Sequence, residues 1–272
     1  MCVRGCKTEQ KTNGWKEAED APVIVVDRLT ARFGDETILE NVSFDVFRGE
    51  ILCIVGESGC GKSTLLKHMI GLIRSSKGRV LVGGVDIAAA DDDQLNLIRQ
   101  KIGVLFQSDA LLASMTLGEN VKLPLDGFVG LSPETVQLIV RMKLGMVNLS
   151  GYENHYPAEL SGGMRKRGGL ARAIALDPQI LFFDEPSAGL DPVNAAELET
   201  LIRGINTGLC TTMVIVSHQV ELVLRIADRV MMIDREEKGI IATGAPEELR
   251  RSASDPRVRN FLFRVDAERR KG

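Results

Sequence analysis

Ile51-Leu52-Cys53-Ile54-Val55-Gly56-Glu57-Ser58-Gly59-Cys60-Gly61-Lys62-Ser63-Thr64 decides the fold. Its first five residues are all apolar, the mark of a strand buried on both faces. Next comes Gly-x4-Gly-Lys-Ser, and then a helical stretch from Lys62 to Ile73. A buried strand, a glycine-rich turn and a helix in that order build a loop that cradles phosphate. The chemistry asks for backbone N–H groups converging on an anion. That in turn asks for small residues and unusual dihedrals, supplied by Gly56, Gly59 and Gly61. Glu57, Ser58, Cys60 and Thr64 complete the loop and the first helical turn. The helix aims its free amides and its dipole at the same charge. Lys62 adds a point charge for the β- and γ-phosphates, and Ser63 offers a hydroxyl to Mg²⁺. Cys60 reads in two ways, as a small residue that fits or as a thiol whose pKa the helix N-terminus lowers.

A second strand, Ile180-Leu181-Phe182-Phe183, ends in Asp184-Glu185. An acid at the end of a buried strand can hold Mg²⁺. The next carboxylate is expected to project toward the γ-phosphate, where it can orient and deprotonate a water. Between the two motifs stands Leu160-Ser161-Gly162-Gly163-Met164. Ser161, Gly162 and Gly163 start a helix, so they also offer a hydroxyl and amides to an anion.

These three motifs, in this order, resemble the ATP-binding cassette family, the nucleotide-hydrolysing subunits of ABC transporters. The resemblance covers about residues 22–250. It implies a P-loop α/β core with a mostly parallel sheet, an antiparallel β edge that holds adenine and an inserted helical subdomain. It also gives roles to residues that are unremarkable alone. Gln107, after the strand Ile102 to Phe106, is expected to reach metal and water and to hinge the helical region. His218, at the end of another strand, matches the family's switch histidine, which touches the γ-phosphate. Ser187-Ala188-Gly189-Leu190-Asp191 resembles the D-loop, which puts Asp191 among the nucleotide-site residues. Phe33, 23 residues before Gly56, stands where the family stacks an aromatic on adenine. The resemblance further implies a homodimer, in which Ser161, Gly162 and Gly163 of one chain complete the ATP site of the other.

Two departures from the common pattern are visible. Met164 replaces a glutamine, and Gln219 follows His218 where an acid often stands. Met164 and the continuation Arg165-Lys166-Arg167, with the late segment Asp255 to Leu262, resemble one branch, the ATPase of Mla-type phospholipid transporters. That branch implies an integral membrane permease, an MCE-domain lipid-binding protein and often a STAS-domain protein as partners. It places the chain on the cytoplasmic face of the inner membrane. An amino-acid (methionine-like) importer ATPase shares most of the motifs and is the competing expectation.

Composition agrees with a chain that works beside a membrane without crossing it. Apolar runs reach about five residues, against the ~20 needed to span a bilayer. A net charge of -3 and 4% aromatics give no basic field or stacking platform for nucleic acid. Five cysteines without a CxxC pair fit a reducing compartment.

Residues 1–21 read as a flexible tail with Trp15 as its local docking residue, and 22–250 as the ATPase domain. Within it, about 108–163 forms a helical insertion. Thr116 to Glu119 fits a capping box, and Ser132-Pro133 opens a helix carrying Leu138, Ile139, Met142 and Met146. Residues 251–272 should form a helix opening at Asp255-Pro256 and a charged tail. Ser108 to Met115 is apolar for a loop. It reads either as the groove for a permease helix or as packing within the insertion.

Overall fold

The computed structural model describes residues 21–127 and 130–263. Trp15 and the charged tail after Phe263 lie outside the described residues.

The chain first lays down β1 (Ile24–Phe33) and β2 (Glu36–Val46), an antiparallel pair. β1 is far longer than its apolar start at Val23 to Val26 suggests. Arg28 adopts a left-handed φ of 49° and the β1–β2 register shifts after Val26, so the apolar alternation breaks while the pairing continues. β3 (Ile51–Val55) follows, buried along its whole length, and leads through the glycine loop into α1 (Lys62–Met69). β4 (Lys77–Val82) and the short β5 (Val85–Asp86) close a sheet of order β2-β1-β4-β5. This is the expected antiparallel edge.

α2 (Asp92–Lys101) begins with a capping box made by Asp91 and Gln94, and β6 (Ile102–Leu105) returns to the core. The inserted helices are α3 (Leu117–Lys122) and α4 (Pro133–Met146), capped by Thr116 and Ser132 as the sequence indicates. α5 (Gly162–Ala173) starts at Ser161. After it come β7 (Ile180–Asp184), α6 (Pro192–Leu209), β8 (Thr212–Val216), α7 (Val220–Ile226) and β9 (Arg229–Asp234). β10 (Gly239–Gly244), α8 (Pro246–Ser252) and α9 (Pro256–Leu262) complete the described chain. α8 straddles the boundary expected at residue 250.

The main sheet has the order β10-β9-β3-β8-β7-β6. All its pairings are parallel except β10 on β9. The strands that end at the site sit centrally, covered on both faces. One apolar cluster lies on the side of α5 to α9 and includes Leu105, Phe183, Leu198 and Ile215. The other joins the main sheet, α1 and the antiparallel edge through Leu39, Leu65, Phe182 and Val214. Phe182 and Phe183 point to opposite faces, so β7 is clamped by both clusters. That fixes where its terminal acids emerge.

Candidate active site

The carboxyl ends of β3, β7 and β8 open into one cavity of about 740 Å³. A crevice at the strand ends of an open parallel sheet is where ligands bind in such folds. Its walls include Phe33, Gly56, Glu57, Ser58, Gly59, Gly61, Lys62, Ser63, Thr64, Gln107, Glu185 and His218. Residues from across the chain, from position 33 to 218, therefore meet at one cavity. Phe33 stands at the tip of β1 with 57% of its surface exposed, on the same wall as Ile38. A ring in that position presents a free face for stacking.

The loop is shaped for an oxyanion. Gly56 has φ 151°, and a Cβ there would stand 2.3 Å from the Ile233 carbonyl oxygen, so only glycine fits. Gly61, the residue before α1, has φ 104°. Lys62 is buried, and its ammonium donates to the carbonyls of Gly56 at 2.9 Å and Glu57 at 2.8 Å. These bonds hold a fixed cation at the cavity floor. Asp184, 8% exposed, accepts the Ser63 hydroxyl at 2.9 Å. Two hard oxygen donors from two elements thus converge beside the phosphate loop, a donor set that suits Mg²⁺.

Glu185 is the strained residue of the site. Its φ of 50° lies in the left-handed region, and its N–H is held by the Val216 carbonyl at 2.9 Å. Its carboxylate accepts from His218 Nδ1 at 2.8 Å and from the His218 backbone N–H at 3.4 Å. The His218 ring and the Glu185 carboxyl are thus joined through Nδ1, with Nε2 on the other side of the ring. The Glu185 side chain is 12% exposed and that of His218 58%, so the histidine covers the acid from the open side.

Cys60 corrects one expectation. It does not line the cavity. It is buried under the loop, its sulfur 2.7 Å from where a Gly56 Cβ would stand. Burial pushes its thiol pKa up, and the nearby Lys62 only partly opposes this. The helix N-terminus does not make it a reactive thiolate, and the small-residue reading holds.

Ser161, Gly162, Gly163 and Asp191 lie outside this cavity. Ser161 caps α5, its hydroxyl accepting from the Met164 N–H at 3.2 Å, and both Ser161 and Gly162 are exposed. Gly163 is buried against Asn194, whose Oδ1 would stand 2.3 Å from a Cβ there. Asp191 caps α6 and accepts from Val193 N, Asn194 N and Asn194 Nδ2. The Asn194 side chain holds its carboxyl below the usual range. The carboxylate expected at the nucleotide is thus committed to a helix cap that abuts Gly163.

Sequence reasoning missed two organising residues. Asn120, fully buried, accepts from the Leu112 N–H and donates to the carbonyls of Leu112, Met115 and Thr116, shaping the loop before α3. Lys166, on α5, donates to the Gln107 carbonyl. Neither carries a local signal, since Asn120 follows Glu119 and Lys166 stands between two arginines.

Comparison with known proteins decides the family. Residues 39–188 match the family described as ABC transporter. The chain belongs to that family. It is an ABC-type ATPase subunit of a transporter. It is 43% identical to the probable ribonucleotide transport ATP-binding protein mkl of Mycobacterium leprae, over 88% of this chain and 68% of that protein. It is 41% identical to the intermembrane phospholipid transport system ATP-binding protein MlaF of Haemophilus influenzae, over 88% of this chain and 90% of that one. Methionine import protein MetN of Brucella abortus is 37% identical over 84% of this chain and 61% of its own length. The chain thus spans about two thirds of the length of the mycobacterial relatives. Among solved structures, the dimeric cassette MJ0796 bound to ADP and Pi matches with TM-score 0.74 and 30% identity, covering 82% of this chain and 98% of that one.

Proposed function

We propose that this ATPase powers phospholipid transport through a membrane permease, and that two copies close around ATP to do so. The observation that carries the lipid reading is the likeness to MlaF, 41% identical over nine-tenths of that protein's length. Met164 in the signature agrees with it. MetN is matched over 61% of its length at 37% identity, which supports the methionine importer as the second reading.

In this reading Lys62 and the loop amides bind the triphosphate, and Phe33 stacks on the base. Glu185 accepts a proton from the attacking water. His218 holds the Glu185 carboxylate through Nδ1 and presents Nε2 toward the γ-phosphate. Ser63 and Asp184, with Gln107, would hold Mg²⁺, which when bound neutralises charge on the β- and γ-oxygens. Ser161 and Gly162, exposed at the start of a twelve-residue helix, and the buried Gly163 that follows them meet the nucleotide of the partner chain. ATP therefore joins two chains and its hydrolysis releases them, a population shift driven by affinity for the closed state.

Among the described residues no helix is long and apolar enough to cross a membrane. A permease does the spanning, and the chain sits against its cytoplasmic side. The insertion at about 108–163 faces that permease, and an MCE-domain protein and a STAS-domain protein complete the assembly. The test is purification of the native membrane complex with mass spectrometry of its proteins and bound lipid. An MCE-domain partner and phospholipid support the proposal. A soluble amino-acid-binding protein in their place supports the importer and refutes it.

A further inference from the structure

α5 carries three cations that turn back on the loop after β6. Lys166, 5% exposed, donates its ammonium to the Gln107 carbonyl. Arg172 donates to the carbonyls of Ala110 at 2.7 Å and Asp109 at 3.3 Å. Arg165 pairs with the Asp109 carboxylate at 3.6 Å. Asp109 and Ala110 both have left-handed φ, 57° and 54°, a conformation that non-glycine residues keep only when their surroundings impose it. Gly169 lets helix and loop close on each other: a Cβ there would stand 3.0 Å from the Asp109 carbonyl oxygen.

Lys166 and Arg172 grip main-chain atoms, and Gln107 lies on the cavity wall. Of these three cations, Lys166 is the one that holds Gln107 itself. A buried ammonium is a costly way to pack a helix, since a methionine would fill the space without desolvating a charge. The lysine also lies in the field of the site: burial pulls its pKa down, and Asp109, Asp184 and Glu185 oppose that pull.

We infer that Lys166 is a positioning residue that locks the Gln107 turn to the helix starting at Ser161, so that nucleotide arriving at Gln107 moves the exposed end of α5 with it. The inference rests on Gln107 belonging to the nucleotide site. One α-helix then joins a glutamine that faces its own chain's nucleotide to a serine that faces the partner's.

Hydrogen exchange on the full-length chain tests this. The chain carries Glu185→Gln to slow turnover, and it is diluted until light scattering reports a monomer. Peptides covering 56–64 report binding of Mg·ATP, and peptides covering 161–168 report transmission. With Lys166 in place, nucleotide slows exchange at least ~10-fold in both. Lys166→Met keeps the protection at 56–64 and loses it at 161–168, while Lys166→Arg keeps both. A lysine that only packs the helix would change exchange equally with and without nucleotide. If Lys166→Met does not yield folded chain by circular dichroism, Lys166→Gln is measured by the same criteria. Full protection at 161–168 without the lysine overturns the inference, as does loss of that protection in the arginine variant. A parent chain unprotected at 56–64 refutes the nucleotide-site assignment instead, and the inference with it.

Discussion

Replacing Glu185 with glutamine separates chemistry from binding. The amide oxygen can still accept from His218 Nδ1, so the 2.8 Å contact keeps its geometry. Lost are the negative charge and the ability to take a proton. A positioned general base contributes about 10²- to 10⁴-fold, which is about 2.7–5.4 kcal/mol on the barrier. The cost to folding is much smaller. Exchanging a charged for a neutral acceptor loses ~1 kcal/mol in a closed site. The His218 ring is 58% exposed, so solvent screens part of that. For a chain of this size the shift in Tm is then at most ~2 °C. Phosphate release at saturating Mg·ATP, titration with a fluorescent nucleotide and thermal unfolding give the three numbers. We expect turnover to fall at least ~10²-fold, ATP affinity to stay within ~3-fold, and Tm to stay within the stated shift. Hydrolysis within ~3-fold of the parent would refute the assignment of Glu185 as base. Loss of ATP binding would refute the claim that it acts after binding.

Lys62→Ala should weaken ATP binding by about 10- to 100-fold, the scale of one charge-assisted hydrogen bond, as read by the same titration. A thiol reagent at neutral pH should inactivate the parent and Cys60→Ser at the same rate, because burial keeps the Cys60 thiol protonated; faster inactivation of the parent would show a reactive thiol. The apolar loop before α3 presents its two leucines differently. Leu112 is 43% exposed, whereas Leu111 packs on the core side of α5. Leu112→Ser should therefore abolish co-purification with the permease at unchanged Tm, while Leu111→Ser should lower Tm by several degrees. Retained co-purification in the Leu112 variant removes the docking role.

The parts of this molecule legible in the sequence are those whose cause is local. Ile51–Val55 and Ile180–Phe183 are apolar without interruption because both faces are covered. Thr116, Ser132, Asp191 and Asp255 announce helices because a side chain must meet free amides at each start. The loop glycines are legible because backbone geometry at Gly56 admits nothing larger. What stayed hidden has non-local causes. β1 continues past Val26 because β2 and β4 pair with it on both sides, whatever its own pattern. β10 holds no buried residue on its sheet edge and so lacks a burial signature. Cys60 reads from its place in the chain either as a small residue that fits or as an activated thiol. Its chemistry is set by the residues packed over it. Lys166 and Asn120 act on main-chain atoms 59 and up to eight residues away, and no spacing rule reports that.

The central claim is that one triphosphate is held by two chains. A structure of the assembled transporter with Mg·ATP trapped by Glu185→Gln tests it most directly. The account predicts Lys62 of one chain and Ser161 of the other within hydrogen-bond distance, about 3 Å, of the same phosphates. Nucleotide held by Lys62 in every copy, with each Ser161 facing solvent, would contradict it.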